Sequence, residues 1–203
     1  MSGEVPDRPG QRQSAEHRVG PICQTVAPHL LVELGMRDLG ENREQELVEK
    51  VDALRAERPD LIASPRRHFI GQIQSKKARR IARHADVVQS LDRLKLVPLL
   101  NAGAADRENP LDIFVQVALE RDGSGRGGAQ ETELHEVAAA VEQAPHLRLC
   151  GLMAVAPLGE EPAAAFQQEL EAALADDAPL DAAARRAMQR RRRVLGVLVT
   201  LLV

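Results

Sequence analysis

The chain has 203 residues, is 44% hydrophobic and 28% charged, and carries three phenylalanines with no tryptophan or tyrosine. These proportions exclude a chain disordered throughout, and 14 glycines and 12 prolines without a repeat exclude collagen-like and low-complexity classes. A formal net charge of −3 excludes a chain-wide basic footprint for nucleic acid, and the missing aromatics exclude stacking platforms for single strands and call for an aliphatic core.

Residues 1–30 read as an irregular N-terminal segment, punctuated by Pro6, Pro9, Pro21 and Pro28. They contain no apolar run of the signal-peptide kind. The cysteines, Cys23 and Cys150, form no CxxC pair and lie far apart, which argues against a disulfide scaffold or zinc site and for a reducing cytoplasm.

Regularity begins near Leu31. Residues 37–42 read as a strand, followed by a helix over 43–58 with Leu47, Val51 and Leu54 at helical spacing and Asn42 with Gln45 as a capping pair. Residues 67–73 read as a second strand. Ser75 is expected to cap a helix reaching Ala85, with Ala78, Ile81, Ala82 and Ala85 inward. Its outer face is basic (Lys76, Lys77, Arg79, Arg80, Arg83), and the plain reading of that face is a solvated surface.

Residues 87–92 form a third strand and 93–103 a helix. The apolar run 112–119 reads as a strand buried on both faces. A helix over 130–143 turns Leu134, Val137, Ala138 and Val141 inward. Residues 149–155 are the fifth strand and 161–175 a further helix. Residues 175–203 are a divergent tail, with an arginine run at 190–193 and ten apolar residues that are too few to span a bilayer. Alternating strands and helices imply a parallel sheet, either doubly wound or part of a (β/α)8 barrel. In both, chemistry sits at the C-terminal strand ends.

The run GSGRGG at 123–128 matches GxGxxG between a strand and a helix. Charged Glu120, Arg121 and Asp122 separate it from the strand, and no acid follows at the expected distance, so a flexible loop is the stronger reading. A nucleotide-binding α/β oxidoreductase using this loop is one alternative. A non-binding remnant or interaction protein is another, self-associating through open barrel edges or the apolar tail.

Five segments together resemble one family: LVELGMRDLGENREQE (31–46), RHFIGQIQSKKARRI (67–81), VVQSLDRLKL (87–96), DIFVQVALE (112–120) and LRLCGLMAVAP (147–157). In order and spacing they are similar to the pyridoxal phosphate (PLP) homeostasis proteins, whose barrel is that of the alanine racemase N-terminal domain. The resemblance covers residues 31–174. It implies a (β/α)8 TIM-type barrel, incomplete here with about five recognisable βα units, that binds PLP in intracellular PLP homeostasis without established turnover. By position it implies that Asn42, His68, Ser90 and Met153 surround the cofactor.

The family carries a lysine at the end of its first strand, which forms the Schiff base with PLP. Here the corresponding region is GPICQTVAPHL (20–30), and the first lysine anywhere is Lys50. Gln24 stands near the lysine's place, and an amide forms no imine. Arg67 replaces the usual tryptophan before HFIG. The family's phosphate-binding final strand has no counterpart in 175–203. The expectation is therefore an inherited PLP-binding function with weak or absent covalent binding. The divergent ends are read as frameshifted or misassigned coding sequence, since out-of-frame GC-rich DNA yields arginine- and alanine-rich tails.

Overall fold

The computed structural model describes residues 20–21, 27–118, 127–155 and 198–199. Seven strands form one sheet, in chain order from edge to edge: β1 (Gly20–Pro21), β2 (Asp38–Glu41), β3 (Arg66–Phe69), β4 (Val87–Leu91), β5 (Leu111–Val117), β6 (Leu147–Ala154) and β7 (Leu198–Val199). Every neighbouring pair is parallel. A doubly wound sheet reverses its order at a switch point. This one never reverses, so the winding is of the barrel kind, which spacing alone left undecided.

The helices are α1 (Pro28–Glu33), α2 (Glu44–Glu57), α3 (Ser75–His84), α4 (Val97–Gly103) and α5 (Glu131–Gln143). Two short elements lie in the stretch read as irregular. Gly20–Pro21 pairs with Leu39 and Gly40, and α1 opens with Pro28, whose missing N–H costs nothing in a first turn. Within the tail, Leu198 and Val199 pair with Met153 and Ala154. The helix expected at 161–175 lies outside the described residues.

Local endings differ from expectation in ways that backbone hydrogen bonding explains. The N-cap of α2 is Arg43 and makes no side-chain cap, so Asn42 with Gln45 does not close this helix. Glu44 and Glu46 in the first turn supply the favourable charge instead. Ser75 is the first helical residue of α3, and Gln74 holds the cap position without a side-chain bond. The stretch 93–103 begins as a 3-10 turn (Leu94–Leu96) before α4. Among the described helices only α5 carries a capping box, between Gln130 and Glu133.

The inward helix positions bury except Ala138, which is only half-buried. Leu47 and Val51 of α2, Ala78, Ile81 and Ala82 of α3, Leu100 of α4, and Leu134, Val137 and Val141 of α5 join Phe69, Val88, Leu91, Ile113 and Val115 of the sheet in one cluster. Phe69 is its one aromatic side chain, so the core is aliphatic. The helices and α3–α4 in particular pack closely. A Cβ on Gly103 would stand 2.5 Å from the Arg79 carbonyl oxygen, so only glycine allows that crossing.

Candidate functional site

The strand ends converge at Gly71. β3 leaves the sheet after Phe69, and its last bond to β2 is Ile70 N–H to the Glu41 oxygen at 2.9 Å. A Cβ on Gly71 would lie 1.9 Å from the Asn42 carbonyl oxygen, so the two backbones are in direct contact. From β4, Ser90 Oγ donates to the Gly71 oxygen at 2.6 Å. Asn42, exposed just beyond β2, and Ser90, buried in β4, are thus brought together across β3.

The rim continues along β4 and β5. Arg93 donates to the Asp92 carboxylate at 2.9 Å and to the Ile73 oxygen at 2.6 Å. Gln116 Nε2 donates to the Gly127 oxygen at 2.9 Å, and Ala129 folds back onto the end of β5, bonded to Gln116 and Ala118. Gly127 and Gly128 have φ of 83° and 144°, and a Cβ on Gly128 would meet the Ala118 nitrogen at 2.4 Å. These two glycines serve the return of the chain to its own strand. Residues 123–126 of the run lie outside the described residues. The N-terminus of α5 is filled by its own capping box, with the acidic Glu133 there. That opposes a pyrophosphate, which needs free N–H groups and no nearby carboxylate.

His68 is buried in β3. In register it lies beside Gly40 and Val87, whereas Phe69 lies beside Glu41 and Val88 and faces the helices. Alternation therefore puts His68 on the inner face. Its Nε2 meets Asp38 Oδ1 at 2.9 Å and its Nδ1 meets the Gln89 amide nitrogen at 2.8 Å. With the amide donating to Nδ1, the neutral ring keeps its proton on Nε2 and donates it to Asp38. Gln89 is fully buried and its Oε1 has no hydrogen-bond partner among the described residues. A buried acceptor left unpaired costs on the order of 1–3 kcal/mol.

Burial pushes the His68 imidazole below its usual value of 6.5, outweighing the opposing Asp38 carboxylate. The unfolded chain takes up a proton near about pH 6.5 that folded His68 refuses, so stability falls as the pH drops below that value. His68→Asn is expected to flatten this slope. Urea midpoints of variant and wild type at about pH 7 and about pH 5.5 check it.

Met153 is buried near the end of β6, in register with Gln116 and Leu198. At the opposite end of the strands, Asp112 accepts from Arg66 and Arg148, both at 2.6 Å. The Arg148 guanidinium is held above its usual range by that carboxylate, and burial, with Asp112 nearby, pushes the Cys150 thiol up.

None of the four lysines lies on a strand. Lys50 of α2 reaches Glu41 at 2.5 Å, on the helix side shared with Phe69. Burial raises the Glu41 carboxyl, with Lys50 opposing. Lys77 stands 3.7 Å and Arg80 3.0 Å from buried Glu44, so part of the basic face of α3 ties α3 to α2. Lys76 and Lys95 are exposed.

Gln89 and Asp38 belong to this inner face but were not singled out by sequence reasoning. A usable signal was present: Gln89 and Ser90 are polar residues inside a short strand whose other members are apolar.

The profile of the alanine racemase N-terminal domain matches residues 20–192. The pyridoxal phosphate homeostasis protein of Corynebacterium glutamicum is 42% identical over 146 residues, covering 68% of this chain and 62% of that protein. The protein of the same name from Pseudomonas aeruginosa is 44% identical over 121 residues, covering 60% and 50%. The chain thus spans between half and two thirds of the length of these relatives. PipY of Synechococcus elongatus, solved without PLP, is 28% identical with a TM-score of 0.61, covering 83% of this chain and 72% of PipY. PipY has also been solved with PLP bound, with a TM-score of 0.59.

Proposed function

The chain belongs to the alanine racemase N-terminal domain family, and from that membership we propose that it is a PLP-binding protein of intracellular PLP homeostasis, impaired in covalent binding. The observation that carries the reading is the combination of a PLP-bound relative of the same fold with the placement of this chain's lysines. Asn42, Ser90 and the Gly71 turn offer polar groups at the strand ends, where ligands of such sheets bind. Asn42, His68, Ser90 and Met153 are the proposed cofactor-contacting set.

The residues fit non-covalent holding and do not fit an imine. Bound PLP supplies an electrophilic aldehyde, and only a primary amine condenses with it. Lys50 is committed to Glu41 on the helix side, and the other three lysines lie on α3 or beyond β4. No covalent step is therefore assigned to the chain.

The test is a PLP absorbance titration followed by borohydride reduction and peptide mapping. Reversible binding is expected, with only scattered labelling of exposed lysines such as Lys76. A stoichiometric adduct on one lysine overturns the impaired-binding part of the reading. Failure of PLP to bind at all overturns the whole.

A cytoplasmic location belongs to the same proposal. Among the described residues no helix is long and apolar enough to cross a membrane. Self-association is also part of it, because among the described residues the sheet ends in strands β1 and β7, and an edge strand offers backbone groups for pairing.

A further inference from the structure

Three side chains on adjacent strands form a file: half-buried Asp38 on β2, and buried His68 on β3 and Gln89 on β4. Both links between them are made, and the file ends on a carbonyl oxygen, Gln89 Oε1, that has no partner among the described residues. Val88 belongs to the helix-side cluster, so its neighbour Gln89 lies on the inner face with His68, the face enclosed when such a sheet curls.

We propose that Gln89 is a ligand-reading group, its Oε1 accepting a hydrogen bond directly from an N–H or O–H donor on a pyridoxal-type ring. The proposal rests on the PLP reading above and names a residue that the family resemblance did not. Besides its proposed place beside the cofactor, His68 positions Gln89. Its neutral Nδ1 can only accept, so it holds the amide nitrogen of Gln89 toward itself and turns the carbonyl to the free side. Asp38 keeps the ring in that tautomer.

The file has a second state. A proton on Nδ1 makes both ring nitrogens donors. Keeping the bond to Gln89 then requires the amide to rotate half a turn, which presents its NH2 to the ligand in place of the carbonyl. The groups that act on His68 are Asp38 from β2, Arg66 on its own strand, Gln89 from β4 and Asp86 from the turn before β4. Burial favours the neutral ring and so the acceptor state near neutral pH.

The experiment titrates PLP into the full chain and into Gln89→Leu and His68→Asn, at about pH 7.5 and about pH 5.5. Gln89→Leu is expected to weaken PLP by about 5–10-fold at the higher pH, the effect of one hydrogen bond. Acidification is expected to weaken wild type more than His68→Asn, whose side chain cannot titrate. That difference is a pH profile that loss of packing alone does not produce. Side-chain amide NMR of Gln89 in wild type, which needs no variant, is expected to shift on PLP addition.

PLP binding with an unmoved Gln89 amide, or with unchanged affinity in a folded Gln89→Leu, overturns this inference alone and leaves the amide to a fixed water. Equal pH profiles for wild type and His68→Asn overturn the role of His68. No PLP binding by wild type overturns the reading on which it rests.

Discussion

Gly71→Ala is expected to lower the melting temperature by about 6–12 °C, corresponding to about 3 kcal/mol for a chain of this size. The new Cβ would stand 1.9 Å from the oxygen, 2.6 Å from the carbonyl carbon and 2.8 Å from the Cα of Asn42. All three are backbone atoms, so no side-chain rotation relieves the clash, and β2 and β3 must separate at their ends. Two hydrogen bonds go with that separation, Ser90 Oγ to the Gly71 oxygen and Ile70 N–H to the Glu41 oxygen. Gly35→Ala is the control. Gly35 has φ of 91° and nothing within 4 Å of a Cβ, so its cost is conformational only, about 1–2 kcal/mol. Thermal unfolding followed by circular dichroism compares the two. Equal losses would mean that crowding at Asn42 contributes nothing. Because Asn42 and Ser90 are held through Gly71, the same variant is expected to weaken PLP more than Gly35→Ala does.

Asp86→Ala is expected to destabilise the protein by about 2–3 kcal/mol, through lost charged hydrogen bonds and two arginines left half-buried without their partner. Asp86 accepts from the Arg67 backbone at 3.0 Å and from its guanidinium at 2.6 and 2.8 Å, and from Arg107 at 2.9 Å. Burial pushes the carboxyl up, but the hydrogen bonds and charge of Arg67, helped by Arg107, outweigh it and hold Asp86 below the usual carboxylate range. The sign follows directly. The interaction is fully present above the unfolded value of about 3.9 and is lost as the pH falls through the lower folded value. Urea midpoints of wild type and Asp86→Asn should therefore differ at about pH 7 and converge in strong acid. A difference that persisted in acid would assign the effect to packing. The same geometry accommodates Arg67: the arginine is half-buried, and a carboxylate across the β3–β4 register is there to meet it.

Helices α2, α3 and α5 were legible because their signal is local. Leu47, Val51 and Leu54, or Leu134, Val137 and Val141, repeat at the helical period whatever packs against them, and all of them bury. The strands β4 to β6 were legible as largely apolar runs, and β2 and β3 as the stretches alternating with those helices. The strand β3 was read four residues too far at its end, to Ile73, because Ile70 and Ile73 extend the apolar pattern, while Gly71 has already turned the backbone under Asn42. The two-residue strands β1 and β7 were not legible, since two residues carry no period and exist only through their neighbours. The caps failed for a related reason. Asn42 and Ser75 are good capping residues, but contacts around Gly71 and Gln74 set where each helix starts.

Of the candidate site, His68 and Ser90 were legible through the family resemblance, and the lack of an early lysine was legible outright. The sequence by itself determined the alternation of βα units, the aliphatic core and the absence of any lysine before Lys50, because residue type and short-range period suffice for each. Tertiary structure alone decided the unreversed strand order, the contact of Asn42, Gly71 and Ser90, and the file from Asp38 through His68 to Gln89. Each joins residues tens of positions apart, and hydrogen-bond partners across strands are set by register in space, which no single stretch of sequence encodes.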